Sequence, residues 1–118
     1  MKKILIAEDN DSNFVLMSYI LKKYYQYERA KNGQEAVELV DKNAYDLVLM
    51  DIKMPVMDGL EATKAIKEKY PDLPIIALTA NAFDSDRQLA VEAGCIDFLA
   101  KPVSSEACLA TIKRLIGE

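Results

Sequence analysis

The chain has 118 residues and no histidine, and its 15 basic and 19 acidic side chains give a net charge of −4. A chain of this length folds as one domain with a buried core, and its acidic balance argues against a nucleic-acid-binding surface. No apolar run approaches the roughly 18 residues of a membrane span or the about 7–15 residues of a signal-peptide core, so we expect a cytoplasmic protein. The lack of histidine excludes Ser-His and Cys-His nucleophile pairs and most zinc sites.

Strands and helices are predicted to alternate along the chain. Short apolar runs predict strands at residues 2–7, 46–51, 75–79 and 96–100, and a further strand is predicted at residues 26–30. Helical periodicity predicts a first helix that ends near residue 24 and further helices at 34–43, 60–70, 84–93 and 104–116. Asp11 or Ser12 is the expected N-cap of the first helix. Ser104 or Ser105 is expected to cap the fifth, and Gly94 suits the C-terminal end of the fourth.

Turn-forming residues separate these elements. Asn32-Gly33 is expected to form a turn before the second helix, and Pro55 and Gly59 bracket the loop after the third strand. Five strands alternating with five helices imply right-handed crossovers and an α/β fold, a doubly wound parallel sheet with helices on both faces. No linker or repeat is visible, so residues 1–118 are expected to form one domain without a second one attached.

Four of the predicted strands end in polar residues. Glu8-Asp9 follows the first strand, Asp51 the third, Thr79 the fourth and Lys101 the fifth. Because the carboxyl ends of parallel strands share one edge of the sheet, where open α/β sheets bind ligands, these side chains should converge. Three close carboxylates repel one another unless a cation intervenes, and Mg²⁺ prefers such oxygen ligands. Asp51 could then be a helix cap, a metal ligand or a nucleophile that forms an aspartyl phosphate, with Lys101 as a second cation.

The motifs around these residues resemble the receiver domain of two-component response regulators. They are Glu8-Asp9-Asn10, the run from Met50 to Gly59, the run from Leu78 to Ala82, and Lys101-Pro102. They occur in the family's order and spacing over essentially the whole chain, and they are most similar to receivers of hybrid histidine kinases. The resemblance implies a flavodoxin-like (βα)5 fold with strand order 2-1-3-4-5.

The resemblance also implies roles for residues at the acidic edge. Asp51 would accept a phosphoryl group from a phosphohistidine on a partner, which would be a histidine kinase or a histidine phosphotransfer protein. Mg²⁺ would be held by Glu8, Asp9, Asp51 and the backbone carbonyl of Lys53, and Lys101 would contact the phosphoryl group. Glu8 stands where many family members have aspartate, and its longer arm is expected to act through a metal-bound water.

A conformational switch is implied as well. Thr79 and Phe98 would form the switch pair, and phosphorylation would remodel the face made by the fourth helix, the fifth strand and the fifth helix, which also suits a homodimer. Phe98 replaces the tyrosine of many relatives, so its contact with a partner should be apolar. A cis peptide is implied at Lys101-Pro102. The domain would catalyse only its own phosphorylation and dephosphorylation, and it would bind neither nucleic acid nor membrane directly.

Three other functions fit the residues less well. A phosphatase of the haloacid dehalogenase type needs a second aspartate two residues after the nucleophile, and that position is Lys53. A flavodoxin-like cofactor carrier needs a loop rich in Ser, Thr and Gly after the first strand, where this chain has acids and an asparagine. An interaction domain without chemistry would not need the complete set of candidate residues that this chain retains.

Overall fold

Five strands and five helices alternate in the computed structural model, which describes residues 2–80 and 84–117. The strands are β1 (Lys3–Ala7), β2 (Gln26–Ala30), β3 (Leu47–Asp51), β4 (Ile75–Thr79) and β5 (Asp97–Ala100). The helices are α1 (Asp11–Leu21), α2 (Gly33–Lys42), α3 (Gly59–Lys69), α4 (Asp84–Ala93) and α5 (Ser105–Ile116). Neighbouring strands are parallel in the order β2-β1-β3-β4-β5, which confirms the predicted flavodoxin-like order.

The two faces of the sheet carry separate apolar cores. Ile4 and Ile6 pack with residues of α1 and α5, whereas Leu5 and Ala7, which alternate with them along β1, pack with residues of α2 and α3. All residues of β3 and β4 are buried, as expected for central strands covered on both sides. Each fully buried Ile or Leu contributes about 1.5–3 kcal/mol to the free energy of unfolding. Among the described residues, no helix combines the length and apolarity needed to cross a membrane.

The ends of α1 differ from the prediction. Its N-cap is Asn10, whose side-chain oxygen accepts from the amide of Asn13 at 3.0 Å, so the expectation of Asp11 or Ser12 was wrong. Asn10 is the last residue with extended backbone. Asp11 instead places its carboxylate in the first turn of the helix, where the negative charge interacts favourably with the helix dipole. The helix ends at Leu21, well before residue 24.

Two other predicted ends are confirmed and one is corrected. Ser104 caps α5, and Gly94 follows α4 with a φ of +115°. Asn32-Gly33 is not a free turn, because Asn32 caps α2 by accepting from the amide of Glu35 at 2.8 Å and Gly33 is the first helical residue. Apart from α1, each element boundary lies within one residue of its predicted position.

Candidate functional site

The carboxyl edge of the sheet brings the predicted acids together. One carboxylate oxygen each from Glu8, Asp9 and Asp51 lies within 4.8 Å of the others. Glu8 and Asp51 are buried, whereas Asp9 is exposed and borders solvent. Buried carboxylates at this spacing repel one another, so their arrangement requires a compensating positive charge.

Lys101 supplies part of that charge. Its Nζ atom lies 2.9 Å from Oε1 of Glu8 and 3.0 Å from Oδ2 of Asp51. Burial lowers the pKa of Lys101, but its close contacts with the carboxylates of Glu8 and Asp51 outweigh this effect and raise the pKa above its usual value. The peptide bond between Lys101 and Pro102 is cis, as the resemblance implied. One ammonium group faces three carboxyl groups, so a further positive charge is needed when all three are ionised.

Glu8 has the least water contact of the group. Its side chain is fully buried, and burial, followed by its contact with Asp51, raises its pKa to about 7 although Lys101 and the amide of Asn10 oppose the shift. Its Oε2 atom accepts from Asn10 N at 3.2 Å. Its Oε1 atom forms an ion pair with Lys101 Nζ, but this oxygen accepts no hydrogen bond from the residues that the structure describes. A buried, under-coordinated carboxylate oxygen within an all-oxygen donor set fits Mg²⁺.

Asp51 is fixed at the end of β3 by both of its oxygens and by its backbone. Oδ1 accepts from the amide of Lys53 at 3.1 Å, and Oδ2 accepts from Lys101. Gly59, the first residue of α3, donates its amide to Ile52 O at 3.1 Å, and a Cβ on Gly59 would lie only 2.1 Å from the carbonyl oxygen of Asp51. The helix therefore packs directly on the backbone that carries the candidate nucleophile, which explains why a glycine follows this loop.

The loop between Asp51 and α3 contains a strained turn. Met57 N donates to Pro55 O at 2.8 Å, which makes Val56 the central residue of a three-residue turn. Val56 has a φ of +70° and is 83% exposed. A β-branched residue rarely adopts positive φ, and this type of turn is uncommon and strained.

Replacing Val56 with glycine is expected to raise the free energy of unfolding by about 1 kcal/mol. Relief of the positive-φ penalty of roughly 1–2 kcal/mol outweighs the extra entropy that glycine adds to the unfolded chain. Urea denaturation measures the change. Val56→Ala is the control, because alanine removes the exposed side chain but keeps the Cβ atom that causes the strain, and it should change stability much less. A less stable Val56→Gly variant would contradict this account.

The two predicted switch residues contact α4. The hydroxyl of Thr79, which is buried at the end of β4, donates to Oδ2 of Asp86 at 3.4 Å. The ring of Phe98 is half-buried, and the guanidinium carbon of Arg87 lies 4.8 Å from its centroid. Asp86 and Arg87, which are consecutive residues of α4, thus contact Thr79 and Phe98 respectively. Asn81 and Ala82, which belong to the motif after β4, lie outside the described residues.

Three residues at or near the site were not among the sequence-based candidates: Arg29, Asp86 and Arg87. Each contacts another element through its side chain, and a charged residue in a mixed strand or on an amphipathic helix looks like ordinary surface in the sequence. Arg29 follows Glu28 in a strand whose residues are mostly polar and exposed or half-exposed, so no signal in the sequence distinguishes it.

Comparisons with known proteins place this geometry in a family. The family model described as the response regulator receiver domain matches residues 4–113. Hybrid signal transduction histidine kinase B of Dictyostelium discoideum is 43% identical over an alignment 129 residues long, gaps included. The alignment covers 97% of this chain but only 7% of that protein. The chain therefore spans a small part of the hybrid kinases that it matches.

Solved structures agree with the family match. The receiver domain of the sensor histidine kinase PA1611 from Pseudomonas aeruginosa, which has magnesium in its active-site cleft, is 38% identical with a TM-score of 0.92, covering 99% of this chain and 98% of that one. The Saccharomyces cerevisiae complex of the histidine phosphotransfer protein Ypd1 with the receiver domain of Ssk1 matches at 34% identity with a TM-score of 0.92, covering 98% and 88%. The resemblance drawn from the motifs is thus confirmed, and this chain belongs to the response regulator receiver domain family.

Proposed function

We propose that this domain accepts a phosphoryl group on Asp51 from the phosphohistidine of a histidine kinase or a histidine phosphotransfer protein. The observation that carries the proposal is the position of Asp51, buried at the end of β3 between the ammonium of Lys101 and the carboxylates of Glu8 and Asp9. A carboxylate held in this way is an oriented nucleophile, and phosphoryl transfer depends chiefly on positioning and charge neutralisation.

In the proposed reaction, an oxygen of Asp51 attacks phosphorus and the bond between phosphorus and the partner's imidazole nitrogen breaks. The electron pair of that bond returns to the imidazole, and Asp51 carries an acyl phosphate. Lys101, which lies 3.0 Å from Asp51, stabilises charge on the phosphoryl oxygens. Glu8, Asp9, Asp51 and the carbonyl of Lys53 would hold Mg²⁺, which supplies further charge neutralisation. A magnesium ion in the cleft of the Pseudomonas receiver supports this assignment.

The proposed docking surface for the phosphohistidine partner includes the exposed side of α1. This helix begins two residues after Asp9, and it exposes the apolar side chains of Val15, Leu16 and Tyr19. Exposed apolar residues beside a reactive site favour contact with a protein. The yeast structure, in which a receiver is bound to a histidine phosphotransfer protein, supports a partner of this class.

The proposed output is a change in the face formed by α4, β5 and α5. Thr79 would move its hydroxyl from Asp86 toward the new phosphoryl oxygens, and Phe98 would turn inward. This face controls a partner and suits a homodimer, since α4 exposes the apolar side chains of Leu89 and Val91. We propose that residues 1–118 act as one receiver domain in the cytoplasm, with no substrate of its own to turn over beyond its phosphorylation and dephosphorylation.

Intact-mass measurement after incubation with acetyl phosphate tests the proposed function. We expect the gain of one phosphoryl group in Mg²⁺ and none in EDTA. The same assay with a phosphorylated histidine phosphotransfer domain covers the case in which only a protein donor is accepted. No gain from either donor would overturn the proposal and favour an interaction domain without chemistry.

Removing the guanidinium of Arg87, which lies over the Phe98 ring, is expected to favour the inward position of Phe98 before phosphorylation. A cation–π contact at an exposed site is worth about 0.5–1 kcal/mol, so Arg87→Ala should shift the equilibrium by roughly two- to fivefold. The ¹⁹F spectrum of fluorophenylalanine-labelled protein, compared with and without beryllofluoride, reports the population. Gln88→Ala, which alters the next residue and its bond to Glu92, is the matched control. An unchanged or opposite population in Arg87→Ala would count against this role.

A further inference from the structure

The guanidinium of Arg29, on β2, binds the backbone of the loop that carries the acidic cluster. Its Nε atom donates to the carbonyl oxygen of Glu8 at 3.1 Å, and its Nη2 atom donates to the carbonyl oxygen of Asp9 at 3.3 Å. These carbonyls belong to the two acids that directly follow β1. One side chain from the neighbouring strand thus contacts both residues.

Arg29 is itself held by α1. Its Nη2 atom forms an ion pair with Oδ1 of Asp11 at 2.9 Å, and its guanidinium carbon lies 4.6 Å from the ring centroid of Phe14. That ring meets Tyr27 edge-on, with 6.1 Å between the centroids. Only 17% of the Arg29 side chain is exposed. A planar guanidinium confined by an aromatic face, a carboxylate and two carbonyls has few alternative positions.

The contact fixes the direction in which the side chain of Glu8 leaves the backbone. The amide of Glu8 donates to Ala30 O at 3.0 Å, which continues the pairing of β1 with β2 by one residue beyond β1. Its carbonyl is held by Arg29, so the backbone on both sides of its Cα atom is tied to β2. The side chain then extends into the buried space beside Asp51 and Lys101.

We infer that Arg29 is a positioning residue that holds the β1–α1 loop so that the carboxylates of Glu8 and Asp9 converge on Mg²⁺. The inference rests on the proposed function, to which Mg²⁺ binding belongs. Arg29 acts through the backbone of the proposed ligands and does not touch the metal. Its positive charge by itself would repel Mg²⁺, so a favourable effect on binding must come from the geometry that it imposes.

Calorimetric titration of the full chain with Mg²⁺ tests the inference. Arg29→Met keeps the length of the side chain but removes its donors, and we expect the dissociation constant for Mg²⁺ to rise about tenfold or more. Lys31→Met is the matched control, because it removes one positive charge from an exposed residue two positions away. Both variants reduce the repulsion of Mg²⁺, so weaker binding in Arg29→Met alone identifies the geometric effect. Arg29→Lys, which keeps the charge but cannot bridge two carbonyls, should bind with intermediate affinity.

The outcomes separate this inference from a purely structural role and from the proposed function. If Arg29 only stabilised the fold, its replacement would lower the unfolding midpoint in EDTA and leave the Mg²⁺ affinity of the folded protein unchanged, which would overturn the inference. If Arg29→Met does not fold, Arg29→Lys decides, and affinity equal to that of the wild type would also overturn it. A wild-type chain that binds no Mg²⁺ would overturn the proposed function and this inference together.

Discussion

Replacing Asp51 with asparagine is expected to abolish phosphoryl uptake while the domain stays folded. The amide of asparagine is not a nucleophile toward phosphorus, and Glu8, the other buried carboxylate that contacts Lys101 among the described residues, is proposed to be occupied as a ligand of Mg²⁺. The amide oxygen can still accept from Lys53 N, and Lys101 retains Glu8 as a partner. Because repulsion among the acids is also relieved, we expect the free energy of unfolding to change by only about 1 kcal/mol.

Intact mass after incubation with acetyl phosphate and Mg²⁺ measures the uptake, and thermal or urea unfolding measures the stability. Asp58→Asn is the matched control, since Asp58 lies on the same loop and caps α3 by accepting from Glu61 N at 2.9 Å, a role that asparagine also fills well. The control should be labelled like the wild type. Labelling of Asp51→Asn at the wild-type level would show that another residue is the acceptor.

The convergence of the candidate site could be predicted because it depends on chain topology and not on side-chain detail. Strands β3 and β4 are buried on both faces, so they appear in the sequence as unbroken apolar runs whose ends are easy to locate. Once these runs are assigned to one parallel sheet, the residues after them must share an edge. The positions of Glu8, Asp51 and Lys101 follow from that rule, and the structure confirms that they meet.

Contacts between elements could not be predicted in the same way. The strand that carries Arg29 is exposed or half-exposed over most of its length, so its sequence gives no reason to place one guanidinium under the loop after β1. Asp86 and Arg87 reach Thr79 and Phe98 only because α4 packs at one particular rotation against β4 and β5. Side-chain direction and helix rotation are properties of the packed structure, and periodicity alone does not determine them.

The end of α1 shows a related limit. Apolar residues at helical spacing continue past Leu21 to Tyr24, so the pattern alone predicts a longer helix. In the structure the chain turns after Leu21, Tyr24 is exposed, and the adjacent Tyr25 fills the core instead. The start of the helix was misplaced for another reason: Asn10, Asp11 and Ser12 are all good caps, and the choice among them depends on which one keeps an extended backbone after β1.

Replacing Gly59 with alanine is expected to lower the free energy of unfolding by roughly 3 kcal/mol, near the upper end for overpacking. The added Cβ would lie 2.1 Å from the carbonyl oxygen of Asp51 and 2.7 Å from the Cα atom of Ile52. Both are backbone atoms of the chain segment at the end of β3, so neither can move aside as a flexible side chain would. The start of α3 and the candidate nucleophile would have to separate.

The sign of this change distinguishes close packing from helix propensity. Gly59 is the first residue of α3, and alanine is favoured over glycine within helices by about 1 kcal/mol, so a loosely packed position would be stabilised by the replacement. Gly117→Ala is the matched control, because Gly117 has a φ of +78° and a Cβ added there would meet nothing within 4 Å, so it should cost only about 1–2 kcal/mol of backbone strain. Urea denaturation of both variants measures their stabilities. Titration of Gly59→Ala with Mg²⁺ should show weaker binding, because the added Cβ displaces the carbonyl of Asp51 and its carboxylate moves with it. A Gly59→Ala variant as stable as the wild type would mean that α3 does not rest on the backbone of Asp51, and the positioning of the nucleophile would need another explanation.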